Sequence, residues 1–349
     1  MDSIFHQDLV DSISASRKEL AFFSGKTFFI SGITGLIGYQ FAMTILYMNK
    51  YLGTDCKIIG LARNKEKFDN LYSQYESLGI EGVFQDIVEP LKCNKEIDYF
   101  LHAAATTKSS SIIENPINTF LDMIEGTKNI LELACKNKNS RTIYLSSMEV
   151  YGQFDHYTVV KEENLGYLDL TNVRNVYPEG KRACELLCSS YYKEYGVDTM
   201  VARLAQTFGS GVDLNDGRFF SQLAKSVINK ENIILNTKGN SIANYCNSRD
   251  VVRALLLLFN CGEASNIYNI SNPDSTDSIK NVASMVCREI ALNQIELKFQ
   301  ISQEKKSKYP EDTKIKLDIK KIVDLGWQPK FSLQESFEKL IFSMAERMK

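Results

Sequence analysis

The apolar positions of this 349-residue chain fall into short continuous runs that alternate with longer stretches of helical period. Residues 27–30 (Thr-Phe-Phe-Ile) make an apolar run the length of a buried strand. Beyond the glycines at 32, 35 and 38 the period changes. Phe41, Ile45 and Met48, with Leu46 beside them, recur at the spacing of one helical face. Strand, glycine turn and helix in that order open a doubly wound sheet. Further strands are predicted over 57–62, 82–86, 98–105, 141–145 and 197–204. Helices are predicted over 118–136, where Leu121, Ile124, Ile130, Leu131 and Leu133 are apolar, and from 177 to about 195. This alternation predicts an α/β fold on a mostly parallel sheet. Ahead of it, residues 3–23 read as a helical extension with Leu9, Ile13 and Leu20 near one face. That face packs either on this domain or on a second subunit.

Past Ala205 the alternation loosens. Glycines and asparagines cluster at 209–217 and 236–247. Helices over 250–259, 279–290 and 332–349 and a strand over 297–301 remain legible. The lysine- and glutamate-rich stretch 298–320 is expected at the surface. The organisation expected is a helical extension at 1–24, a dinucleotide-binding domain at 25–204 and a smaller lobe at 205–349, with segments free to interleave. There is no internal repeat and no low-complexity linker.

The glycine turn carries the first chemical signal. Its pattern is G-x-x-G-x-x-G over Gly32, Gly35 and Gly38. Glycine there permits a tight turn, a backbone close to a pyrophosphate and a helix packed close to its strand. The N–H groups of the helix start, around Leu36 and Ile37, would receive a phosphate. Three glycines alone also describe an ordinary turn; the flanking strand and helix favour a dinucleotide. At the end of the second strand, where a carboxylate would hold the ribose of NAD, Arg63 follows instead, which suits the 2′-phosphate of NADP. A solvated basic turn is the plainer reading of Arg63 and its neighbouring lysines. Asp86 and Ile87 fall where an adenine edge would lie. The small tail Ala103, Ala104, Ala105 lets a backbone approach the cofactor.

Composition narrows the field. At 44% hydrophobic and 24% charged residues the chain can bury a real core, and a formal net charge of −2 gives no ground for a nucleic-acid or anionic-membrane partner. The densest apolar run, 254–259, is too short to span a bilayer. Residues 1–10 lack the apolar segment of a signal peptide. Eight cysteines include no C-x-x-C pair. Cys184 and Cys188 share a helical face but have no spaced histidine partners, so packed thiols in a reduced, cytoplasmic protein are expected rather than a metal site.

Ser147 and Glu149 stand at the carboxyl end of the fifth strand, where ligands of such sheets lie. Tyr177 and Lys181 are four apart and so share a helical face. Beside a nicotinamide, the Lys181 ammonium would favour the Tyr177 phenolate, which could exchange a proton with a hydroxyl as hydride moves at the same carbon. Ser147 would hold that oxygen. A Y-x-x-x-K pair by itself is uninformative; its place downstream of the glycine turn and the serine-bearing strand gives it weight.

Together the segments SGITGLIGY, LHAAA, LSSMEVYG, YPEGKR, VARLAQTFG, LNDGRFF and LGWQP resemble the extended short-chain dehydrogenase/reductases, in particular their nucleotide-sugar epimerase/dehydratase group. The resemblance runs from 27 to about 329. It implies a Rossmann domain with a nucleotide-sugar lobe, catalytic Ser147, Tyr177 and Lys181, and a diphosphate contact from Arg218. Glu149 matches a carboxylate that acts on the sugar, or else is a satisfied acid at a strand end. SMEVYG, YPEGKR and LNDGR look most like UDP-glucuronate decarboxylases and related reductases or dehydratases. Departures are Met148 for an Asp, Gln206 for a diphosphate-holding Asn, Ala243 for an Arg and Met123 for an Asn. Met148 and Arg63 tilt the expectation to a 4-keto nucleotide-sugar reductase using NADP(H). The alternatives are an epimerase, decarboxylase or dehydratase that recycles NAD, and a non-catalytic dinucleotide-binding sensor or scaffold. The resemblance also implies a homodimer joined through the helices at 118–136 and 178–195.

Overall fold

The computed structural model describes residues 1–105, 109–301 and 312–349. In chain order, β1 (Thr27–Ser31), β2 (Lys57–Ala62), β3 (Ile80–Phe84), β4 (Tyr99–His102) and β5 (Arg141–Ser147) precede a short β6 (Thr158–Val160) and β7 (Asp198–Leu204). Then come β8 (Gln206–Phe208), β9 (Ile233–Leu235), β10 (Ile242–Asn247), β11 (Asn266–Ile270), β12 (Asn272–Ser278), β13 (Leu297–Phe299) and β14 (Ile315–Leu317). Seven strands form one parallel sheet in the order β11-β7-β5-β4-β1-β2-β3. This is the doubly wound architecture expected. Successive side chains of a strand point to opposite faces, and β1 shows the consequence. Phe28 and Ile30 join the core under the helix Leu36–Leu52, whereas Phe29 joins the opposite core beneath Pro116–Lys136 and Val176–Tyr195. A sheet covered on both faces needs strands apolar throughout, which is why its strands read as continuous runs.

Segments interleave across the boundary expected at 204/205, and 248–270 return to the large sheet. The helix Ser248–Cys261 packs back on the large sheet, with Phe259 against Phe28, Phe41 and Tyr99. β11 then pairs with β7 from Asn266↔Met200 to Ile270↔Leu204. Without that return, β7, carrying buried Met200, Val201 and Ala202, would be an open apolar edge. The smaller lobe is built from the three-stranded β12-β10-β8 sheet, the β13-β9 pair and the helices Phe219–Asn229 and Leu333–Arg347. Its core holds Phe208, Phe220, Tyr245, Phe337 and Leu340. The helix expected over 279–290 is α-helical to Met285 and widens to a π turn over Val286–Ile290. Of the lysine-rich stretch 298–320, residues 302–311 lie outside the described residues.

The N-terminal helix Ser3–Ala15 packs on its own chain. Phe5, Leu9 and Ile13 are buried in the large core. Its acid groups meet the terminal helix: Asp8 pairs with Lys339 at 2.5 Å and Asp2 with Arg347 at 3.2 Å. Among the described residues no helix is long and apolar enough to cross a membrane.

Candidate functional site

The order of the large sheet reverses between β1 and β4, so the two strands lead away in opposite directions and leave a crevice at their carboxyl ends. Gly32 sits there with φ +66°, and a Cβ on it would lie 2.7 Å from the backbone of Ala103 and Ala104. A Cβ on Gly38 would meet the Gly32 carbonyl at 2.4 Å. Both glycines are therefore required by close backbone approach. Gly35 caps the helix Leu36–Leu52 without any side-chain hydrogen bond. The first helical N–H groups, at Leu36 and Ile37, thus meet no side-chain acceptor from their cap and suit an anion. Beneath them Ser31 Oγ hydrogen-bonds His102 Nδ1 (2.8 Å) and accepts from the Ala104 N–H (3.3 Å), while His102 Nε2 bonds Thr127 Oγ1 (3.1 Å). Burial pushes His102 down to about 3, so it is a neutral strut between the two strand ends.

At the far end of the crevice Arg63 lies 3.7 Å from Asp86 and is 74% exposed, a loose pair with the cation free to turn. Ile87 packs under Gly126, and its carbonyl accepts from Asn129 (2.9 Å). A dinucleotide thus finds an uncapped helix start, a backbone cleared of Cβ atoms and a polar pair at its adenosine end. The residues present fit it.

The other end holds the proton-handling groups. Ser147 ends β5, and its Oγ accepts the Glu149 N–H (3.2 Å). Tyr177 is 7% and Lys181 3% exposed. The Lys181 ammonium donates to the Leu145 carbonyl (2.7 Å) and lies 4.6 Å from the Tyr144 ring centre and 5.9 Å from that of Tyr177. Burial pushes Lys181 down to about 8, against the opposing pull of Cys184, Glu185 and Cys188. Tyr177 is raised above its ordinary value, first by burial and then by the Glu149 charge; a hydrogen-bonding Ser147 and the charges of Arg174 and Arg218 work the other way. In the free protein burial wins, so the phenol is protonated at neutral pH. The phenolate expected from Lys181 together with the positive ring of a nicotinamide is, without that ring, not the resting state of the free chain.

Glu149 is 43% exposed and forms an ion pair with Arg174 (2.8 Å). Arg174 did not emerge from the sequence. It stands in the polar loop 153–176 with no motif around it, and only its place three residues before Tyr177 could have drawn notice. Met148 is buried and offers no acid. Arg218 is held bidentate by Asp216 (Nη2 to Oδ2 2.6 Å, Nε to Oδ1 3.1 Å) and lies over the Phe220 ring at 4.6 Å. Gln206 is half-buried on β8, beside Tyr245 of β10. Ala243 is buried on β10, and Met123 packs against Gly180, where a Cβ would be 2.3 Å from its methyl group. Ala105 is exposed at the end of the described part of that loop. Among the described residues no cluster of His, Cys, Asp or Glu could hold a metal ion.

The model of the NAD dependent epimerase/dehydratase family matches residues 28–271. The chain belongs to that family. Its model is that of NAD-dependent epimerases and dehydratases. Relatives include UDP-glucuronic acid decarboxylase 1 of Danio rerio, 30% identical over 75% of this chain and 60% of its own length. UDP-glucuronic acid decarboxylase 6 of Arabidopsis thaliana is 29% identical over 76% of this chain and 75% of its own. The family member described here thus spans about 60% of the vertebrate relatives it matches. In fold it resembles UDP-glucose 4-epimerase of Thermotoga maritima (TM-score 0.76, 18% identity, 93% of this chain and all of that one). It also resembles UDP-glucuronic acid 4-epimerase of Bacillus cereus, solved with UDP-glucuronic acid and NAD (TM-score 0.75, 19% identity, the same coverage).

A relay through Lys181 has a pH signature. Its folded value is depressed, so the ammonium is present below about 8 and lost above it. Turnover should fall about tenfold per unit on that alkaline side. Lys181→Met should cost about 10²–10⁴-fold in turnover at neutral pH, and Lys181→Arg should move the fall to higher pH. A steady-state profile that stays flat well above pH 8, or an undiminished Lys181→Met enzyme, would contradict this role.

Proposed function

We propose that this chain oxidises and re-reduces C4 of a UDP-sugar with a retained NAD, and that a uronic acid is its substrate class. The observation that carries the reading is the meeting of Ser147, Tyr177 and Lys181 with a second acid group, Glu149, at one end of a dinucleotide crevice. A net reductase needs one proton relay; this site has a further carboxylate beside it. The relatives named above are decarboxylases, which favours the recycling alternative over the 4-keto reductase expected from Arg63 and Met148.

The bound nicotinamide supplies a hydride acceptor and donor. As the phenolate, which the Lys181 ammonium and the nicotinamide ring together would favour, Tyr177 takes the C4 hydroxyl proton and becomes the phenol, while Ser147 holds the same oxygen. A 4-keto sugar with a carboxylate on C5 then loses it as CO₂: the C5–C6 electron pair passes towards the C4 carbonyl, and C5 takes a proton. Glu149 is the group placed to handle that proton. Such a reaction expels no water from C6, so the apolar Met148 is no obstacle to it. Arg218, once freed from Asp216, would hold a phosphate of the nucleotide. Arg63 supports a second reading, NADP(H) in place of NAD, because an exposed guanidinium suits a 2′-phosphate.

Incubated with UDP-glucuronic acid, the purified protein should release CO₂ and a UDP-pentose with no net change in nicotinamide absorbance. Denaturation should release NAD in about one copy per chain. Stoichiometric NADP, or net consumption of NADPH with a 4-keto sugar, would return the reductase reading; turnover of UDP-glucose alone would point to an epimerase.

We also propose a homodimer. The helices Pro116–Lys136 and Val176–Tyr195 lie side by side and expose Ile117 (72%), Leu121 (57%) and Leu186 (68%), an apolar stripe that a second copy would cover. Sedimentation velocity should give twice the chain mass at micromolar concentration. A monomer there, unchanged by Leu121→Lys, would rule the stripe out.

A further inference from the structure

Arg174 lies in the short turn Val173–Asn175, directly before the helix that carries Tyr177. Its backbone is fixed on both sides. The Asn172 side chain accepts the Arg174 N–H (3.0 Å), and the Asn175 side chain donates to the Asp169 carbonyl (2.9 Å). From there the guanidinium reaches Glu149 Oε2 at 2.8 Å, and its Cζ lies 5.7 Å from the centre of the Tyr177 ring. Its side chain is 22% exposed, against 43% for Glu149.

The pocket poses a problem that this placement answers. Two acid groups side by side oppose each other's ionisation. Glu149 stands next after burial among the causes that keep Tyr177 protonated. The groups facing Tyr177 come from several elements. Ser147 ends β5, Glu149 follows it, Arg218 precedes the helix Phe219–Asn229, Lys181 is one turn along, and Tyr144 lies on the core side. Arg218 is engaged by Asp216, and the Lys181 ammonium is turned to the Leu145 carbonyl. Of these cations, Arg174 is the one that meets both the carboxylate and the phenol ring.

We propose that Arg174 is a positioning residue that pins Glu149 and cancels its charge beside Tyr177, so that a carboxylate and a phenolate can share one pocket. The proposal rests on the function above only in giving Tyr177 a proton to lose; the geometry belongs to the free chain. The pair is partly exposed, so solvent screens it and the effect is moderate. A lysine at 174 would keep the charge without the planar fork.

The test needs no substrate. 3,5-Difluorotyrosine placed at position 177 supplies a more acidic phenol whose titration is followed by fluorine NMR. On that background Arg174→Gln should raise the midpoint by about 0.5–1 pH unit. Arg174→Lys should stay nearer the parent. Glu149→Gln should lower the midpoint, and the Arg174→Gln, Glu149→Gln double variant, which removes both charges together, should return close to the parent. An unchanged or lower midpoint in Arg174→Gln overturns the proposal. So does a double variant that stays as high as Arg174→Gln, because the effect would then not pass through Glu149. Should Arg174→Gln fail to fold, the Glu149→Gln and Arg174→Lys arms decide by the same signs. Failure to turn over any UDP-sugar would remove the proposed function and leave this titration standing.

Discussion

The backbone of Ala103 and Ala104 passes so close to Gly32 that a single added carbon would lie 2.7 Å from it. Much of the site follows from that contact. It fixes the end of β4 against the turn after β1, at the place where the sheet order reverses. The Ser31–His102–Thr127 hydrogen bonds tie the same two strand ends from below. With the crevice held open there, the uncapped start of Leu36–Leu52 faces it from one side and the end of β5 from the other. The glycine contact thus sets where the helix start stands relative to the Ser147 and Tyr177 end of the crevice.

Electrostatics at the chemical end work against the reaction until a cofactor arrives. Burial lowers the Lys181 ammonium and raises the Tyr177 phenol, so each disfavours its charged form. Under the proposed function, a positive ring between them and the sugar would favour the phenolate.

What the sequence made legible follows the same physics. Strands buried on both faces read as continuous apolar runs, so β1 and β2 were placed to within a residue. The glycine spacing, the serine strand end and the Tyr177–Lys181 pair were legible because close approach and a shared helical face demand specific residue types. β11 was not, because Asn266–Ile270 carries polar residues at 266 and 269 and its partner β7 is 62 positions earlier, from Leu204 to Asn266. Arg174 was hidden for a related reason: its role depends on a fold-made contact with Glu149, 25 positions away, and loops carry no period. The attachment of Asp8 to Lys339 spans 331 positions and is equally silent in local pattern.

The most direct measurement is a crystal structure of the chain with NAD and UDP-glucuronic acid. The pyrophosphate should lie on the N–H groups of Leu36 and Ile37, with sugar C4 about 3–3.5 Å from the nicotinamide and its oxygen shared by Ser147 and Tyr177. A dinucleotide bound elsewhere, or a sugar whose C4 oxygen lies away from Tyr177, would contradict this arrangement.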